Sequence, residues 1–322
     1  MSPAPAPRGS PAPAAAGGGE RVLLGIALMC GFAVTGPLID TFAKLATRSL
    51  PVVEVVLARF TVQALALAPL ALLIGGLHRP GRREWGLHLL RGALIVGATM
   101  FFFSALRVLP LAEAISIFFV EPLLLTLLGG LLLGEAIGWR RILAALVGFA
   151  GALVIIRPSF EVFGPAALLP LGTALCFAFY MILTRRMAPG MNPLALQTHT
   201  GAAAALLLVP VLWLGDGSGL PLIDPVLPSP PEAALLLGVG LAAAAAHLFI
   251  TYALRFAPAA TVAPLQYLEV VSASLLGWWV FGDLPDRFTL LGVAIIIASG
   301  LYVFARERRA SRAISAAPAP PP

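Results

Sequence analysis

Ten stretches of this chain stay apolar for about the twenty residues that an α-helix needs to cross the hydrocarbon of a bilayer. They run over roughly 22–43, 53–77, 86–106, 110–133, 139–157, 164–184, 194–214, 232–255, 259–281 and 287–305. A backbone in lipid must satisfy its own hydrogen bonds, so each is expected as a helix. Spanning barrels need short alternating strands, which continuous apolar runs exclude. Length alone, 322 residues, would allow two soluble domains. Composition overrules it: the chain is 59% hydrophobic and 11% charged, against about a quarter charged in soluble proteins. An all-α integral membrane protein is the expected class.

The net charge of +6 comes without a basic face carrying interleaved aromatics, so no nucleic-acid partner is implied. Cys30 and Cys176 each lie within an apolar run and read as small buried hydrophobes, with no disulfide framework, metal site or cofactor. No HExxH, GxSxG or GxxxxGK[ST] motif is present. The chain therefore reads as no enzyme, and any driving force has to come from a gradient.

The ends differ from the middle. Residues 1–20 and 308–322 are rich in Pro, Ala and Gly or are basic, and read as disordered tails. If the chain starts inside, most of its 21 Lys and Arg, including Arg79, Arg91, Arg140, Arg185 and Arg255, fall on the cytoplasmic side. Lys44, Arg48, Arg107, Arg157 and Arg287 fall outside, and Arg59 lies within a span. The positive-inside rule then puts both termini in the cytoplasm.

A repeat gives this topology its shape. Sliding the sequence by 148 residues lays Ala105–Glu135 on Ala253–Asp283 without a gap, with Arg107 on Arg255, Pro110 on Pro258, Glu121 on Glu269 and Glu135 on Asp283. A shift of 141 places Lys44 on Arg185 and Pro69 on Pro210. Five segments per copy is an odd number, so the second copy inserts upside down, and inverted repeats of this kind are usual in secondary transporters. The expected units are 21–158 and 163–307, five spans each.

Several motifs carry a family resemblance: Asp40 and Lys44 in the first segment, Ala58-Arg59-Phe60 in the second, Glu121-Pro122 and Gly134-Glu135 in the fourth, and GFAGALVIIRP at 148–158. The second half adds YLEVVSASLLGWWVFGDLPD at 267–286 and IIIASGLYVFARE at 295–307. With its two five-helix halves, the chain resembles the EamA-type transporters of the drug/metabolite transporter superfamily over residues 21–307. Asp283 departs from the pattern, since the family more often has Glu there. The resemblance implies a multi-pass transporter of the bacterial inner membrane, in a subgroup similar to riboflavin and S-adenosylmethionine carriers.

The candidate pathway residues are Glu121, Glu269, Arg59, Asp40, Gln266, Tyr267, Tyr180 and His247. Glu121 and Glu269 lie ~10–12 residues into their segments, hence ~15 Å deep, and enter from opposite faces. A carboxylate there reads as a proton or cation site, or as a symmetric structural pair. Arg59 needs a partner, with Asp40 preferred over Glu54. Lys44 reads as snorkelling to the interface. His199 and His247 read as the two histidines within spans, serving proton relay or bonding neutrally between helices. Gln266, Tyr267, Tyr180 and Gln197 are suited to orienting a solute or to joining helices. Pro122 and Pro264 are expected to kink their helices.

The function expected from all this is gradient-driven transport of a small organic metabolite by alternating access. Protons are the candidate coupling ion, and the protein would be a monomer or homodimer in the lipid bilayer. The alternative is a passive carrier for a vitamin or cofactor-like solute. A membrane scaffold or intramembrane enzyme is a third class, disfavoured by the missing nucleophile–base motifs.

Overall fold

The computed structural model describes residues 17–74, 76–77, 79–133, 139–187, 191–257 and 262–315. Regular structure among them is entirely helical: α1 (Gly17–Ala46), α2 (Val52–Leu73), α3 (Arg82–Leu106), α4 (Leu111–Phe118), α5 (Glu121–Leu133), α6 (Trp139–Phe163), α7 (Leu169–Met187), α8 (Pro193–Gly215), α9 (Pro230–Phe256), α10 (Leu268–Leu276) and α11 (Arg287–Ser315). Gly134, Glu135 and Pro258, singled out by the repeat, lie outside the described residues, as do residues 1–16 and 316–322 of the tails.

Among the described residues, seven helical stretches are long and apolar enough to cross a membrane, where the sequence predicts ten. The expected segments 139–157 and 164–184 merge into one apolar stretch, Ile142–Met187, in which the 3-10 turn Gly164–Leu168 joins α6 to α7. The expected segment 259–281 is broken, its described part running as the 3-10 turn Ala263–Tyr267, α10 and the π-helical turn Gly277–Phe281. The last is a shorter apolar helix, Arg287–Tyr302. The tail boundaries also move. Helix α1 starts at Gly17, and α11 continues to Ser315 through a run of Arg and Ala, good helix formers, where a tail was expected from residue 308.

The helices pack in a definite pattern. The principal partners are α1 with α9, α3 with α7, α2 with α8, α6 with α11 and α4 with α10; α2 also meets α9, α3 meets α8, α5 meets α7 and α1 meets α10. The main core collects residues from nearly all of them, including Phe60, Phe103, Ile117, Ile155, Val239 and Ile296.

Close approach rests on small residues, as is usual where helices meet in lipid. At the α6–α11 crossing, a Cβ built on Gly292 would stand 2.6 Å from the Gly151 carbonyl oxygen and would collide with Ile155 Cγ1. Ser299 Oγ donates to the Ala144 carbonyl across the same crossing at 2.9 Å. Gly292→Leu is expected to cost about 1–3 kcal/mol by overpacking, read as a lower melting temperature of the detergent-purified protein. Melting like that of the wild type would show that the two helices separate freely.

Candidate functional site

The two mid-segment acids occupy matching places. Helix α4 ends at Phe118 and α5 begins at Glu121, so the fourth apolar segment is interrupted at Phe119 and Val120. The cause is local: Pro122 has no N–H to return to the preceding turn, and Val120 N bonds Ile117 O at 3.2 Å in a tightened turn. Glu269 likewise stands in the first turn of α10, directly after a 3-10 turn. Each acid thus sits at the start of a half-helix. Glu121 is 8% exposed, and its Oε1 is buried without a hydrogen-bond partner, as is Oε1 of Glu269. Glu269 lies against α1, where its Oε2 would stand 3.3 Å from a Cβ on Gly36.

Tyr267 belongs to the same place. Its ring lies 5.3 Å from that of Phe119, and its hydroxyl rests so closely on Gly300 of α11 that a Cβ there would collide with it. Glu121 lies within its electrostatic range. Gln266 is half-buried beside it.

Arg59 does not find the partner expected for it. Its Nη1 donates to Thr99 Oγ1 of α3 at 2.7 Å, and its buried Nε makes no hydrogen bond. Asp40 acts on it through space without closing to an ion pair, and acts also on Glu269. The reason is architectural: α1 packs chiefly on α9 and α10 rather than on α2. Glu54, the other candidate, instead accepts from the Val226 backbone N–H at 3.2 Å. His247 faces the same region, with Arg59 and Arg91 as its charged neighbours. Its Nδ1 is 2.8 Å from Ala243 O, so its bond is to its own helix and not between helices.

Arg91, counted with the cytoplasmic-side cations in the sequence, is a buried hub of the bundle. It is 0% exposed. Nε donates to Thr184 Oγ1 at 2.9 Å, Nη1 to Leu196 O at 3.2 Å and to Thr200 Oγ1, and Nη2 to the Tyr180 hydroxyl at 2.5 Å. The guanidinium also lies 4.3 Å from the centre of the Tyr180 ring. One cation therefore ties α3 to α7 and α8 through neutral acceptors. Tyr180 passes the network on, donating to Gln197 Oε1 at 3.4 Å. One turn before Arg91, His88 is a third histidine within a helix of spanning length, also 0% exposed. Its ring lies 5.0 Å from that of His199, and Trp85 meets both edge-on.

Lys44 does not snorkel. Its ammonium reaches Asp283 Oδ2 at 3.2 Å and donates to Leu109 O at 2.8 Å, with 12% of the side chain exposed. Gly282, at φ 77°, makes this contact possible: its left-handed backbone ends the π-helical turn and swings Asp283 back toward α1. Nearby, Ser49 Oγ donates to Glu232 Oε1 at 2.5 Å and Val53 N–H to Leu222 O at 3.2 Å. This end of the bundle is bridged repeatedly between the first and second halves of the chain.

Among the described residues no group of His, Cys, Asp and Glu is arranged to hold a metal ion. Cys30 and Cys176 are half-buried free thiols.

Known proteins bear on this arrangement. A sequence profile of the EamA-like transporter family matches residues 23–157 and again 164–305. The chain is 30% identical over 265 residues to a riboflavin transporter of Vibrio cholerae, covering 82% of this chain and 86% of that protein. It is 26% identical over 279 residues to an S-adenosylmethionine uptake transporter of Rickettsia prowazekii, covering 86% and 90%. A protein of known crystal structure superposes with a TM-score of 0.60 at 21% identity, covering 90% of this chain and 98% of the other, and so shares the fold.

Proposed function

The chain belongs to the EamA-like transporter family of the drug/metabolite transporter superfamily, and we propose that it is a gradient-driven secondary transporter that moves a small organic metabolite across the bacterial inner membrane by alternating access. Its being a multi-pass membrane transporter follows from the family and the apolar helices. The mechanism is our reading, and one observation carries it.

The principal helix–helix contacts recur when the halves of the chain are exchanged, although smaller ones such as α2–α3 and α5–α6 do not. Writing α1, α2, α3, α4–α5 and α6 onto α7, α8, α9, α10 and α11 turns the α1–α9 contact into α7–α3, which is present, and α2–α9 into α8–α3, also present. It turns α5–α7 into α10–α1 and leaves α2–α8, α4–α10 and α6–α11 as they are. A two-fold relation between two five-span units accounts for this correspondence of the principal contacts, and an odd number of spans makes the units antiparallel, with both termini cytoplasmic. On this reading ten spans result, with the broken helices at Glu121 and Glu269 as the fourth and ninth. Interrupted helices with polar groups at their half-helix ends, near the interface of two inverted units, are where such transporters bind solute and coupling ion.

Within that frame Glu121 and Glu269 carry the coupling proton, and Tyr267, Gln266, Asp40, Arg59, His247 and Tyr180 line the solute path. The cross-links around Lys44 and Asp283 close the outer end. The names of the relatives favour a solute of riboflavin or S-adenosylmethionine type, which would also suit a passive carrier. Proteoliposomes holding the purified chain are expected to take up labelled riboflavin or S-adenosylmethionine saturably, faster under an imposed pH gradient. Uptake of the solute at one rate with and without the gradient would replace the driven mechanism by the passive one.

A further inference from the structure

At the end of the bundle bridged by Lys44 and Asp283 lies a cavity of about 530 Å³ whose lining includes Lys44, Arg48, Arg107, Phe163, Phe281 and Asp283. Three cations face one carboxylate. Lys44 is already held by Asp283 and the Leu109 carbonyl. Arg48 and Arg107 are exposed, and among the described residues neither side chain makes a hydrogen bond or ion pair. The other acid near Lys44, Glu113, is engaged elsewhere, accepting from Ser159 Oγ at 2.7 Å, and Asp286, a neighbour of Glu113, accepts from the Thr289 N–H. The Phe281 ring has the Lys44 ammonium 4.7 Å and the Arg48 guanidinium 5.3 Å from its centre, so a charged rim stands over an apolar floor.

We propose that this cavity is an anion-binding site for a small organic solute bearing a phosphate or carboxylate, separate from the mid-bundle pathway. Two guanidiniums without carboxylate partners supply charge-assisted, forked donors for such a group. The phenylalanines accept an apolar or aromatic body. The anion would compete with Asp283 for the Lys44 ammonium, and because that pair joins the two halves of the chain, its occupancy would loosen the bridge. This end is the outer one in the orientation proposed above, but binding by the purified protein is independent of orientation.

The test is equilibrium binding of phenyl phosphate to the full chain in neutral detergent, with benzyl alcohol as the uncharged control. Phenyl phosphate should bind saturably and at least about tenfold more tightly than benzyl alcohol. The double substitution Arg48→Gln, Arg107→Gln touches exposed side chains, so melting should not change while affinity falls by about tenfold. Asp283→Asn should raise affinity, because the competing carboxylate is gone. Equal binding of the two probes, unchanged affinity in the double variant, or weaker binding in Asp283→Asn would each overturn the proposal. Nanodiscs distinguish the source of the anion. Binding should persist in phosphatidylcholine with added phosphatidylglycerol, and its suppression by that lipid would reassign the cavity to a lipid headgroup. Failure here would leave the transport reading standing, since that is measured by solute uptake.

Discussion

Replacing Glu121 and Glu269 together by glutamine is expected to abolish pH-gradient-driven uptake while leaving solute exchange in the absence of a gradient intact. The geometry sets up this separation. In each acid Oε1 is buried without a partner, and Oε2 of Glu269 lies against Gly36. Glutamine keeps the shape and an amide oxygen but cannot release a proton. Folding should not suffer, because an ionised carboxylate at the centre of a span costs at least about 2.5–3.5 kcal/mol and its removal relieves that cost. The melting temperature of the double variant should equal or exceed that of the wild type. Single substitutions are informative too. Asp40 acts on Glu269 and on Arg59, so Glu269→Gln changes the surroundings of both, whereas Glu121→Gln leaves that group untouched. Gradient-driven uptake at the wild-type rate in the double variant would remove these acids from the coupling path and leave them as structural groups.

How much of this was legible in the sequence depends on whether a residue's role is set by its own segment. The apolar runs and the acid at the centre of two aligned segments could be read directly, because helix length and repeat register are local quantities. The interruption at Glu121 was half legible: Pro122 announced a disturbance, but the division into α4 and α5 needed the backbone. Partners were not legible. Asp40 was a reasonable guess for Arg59, yet Thr99 supplies the bond, since nothing in the sequence says that α1 packs away from α2. Lys44 was read as reaching for the interface, while Asp283, 239 residues away, holds it in place. The burial of Arg91 and His88 was not legible for a different reason. Both fall at the start of an apolar segment where charges usually mark the membrane edge, but α3 already begins at Arg82. Arg91 is nine residues into that helix, ~14 Å along its axis, and that distance was the available signal.

Arg91 also supports the sharpest stability prediction, because its variants should rank against the usual order of conservative replacement. Arg91→Met is expected to fold with stability within about 1 kcal/mol of the wild type, or above it, as apolar replacements of buried ionic groups often do. Arg91→Lys should be less stable, by about 2–4 kcal/mol. The acceptors explain the difference. With the guanidinium gone none is orphaned: Thr184 Oγ1 still donates to Tyr180 O at 2.7 Å, Thr200 Oγ1 to Leu196 O at 2.7 Å, and the Tyr180 hydroxyl to Gln197 at 3.4 Å. Methionine fills much of the space and is flexible enough to settle there. Lysine keeps a buried positive charge, and among the described residues no carboxylate is paired at this position to offset it. Its single ammonium cannot reach acceptors on two helices as the fork does. Solute uptake should nevertheless fall by about tenfold or more in both variants, since Arg91 fixes the Tyr180 hydroxyl beside Gln197 and a loosened positioning group commonly costs that much. Thermal unfolding and uptake measured on the same preparations decide the matter. A stable Arg91→Lys beside an unfolded Arg91→Met would show that the cation, and not the shape of the clamp, holds the three helices together. Full uptake by Arg91→Met would place Tyr180 off the solute path.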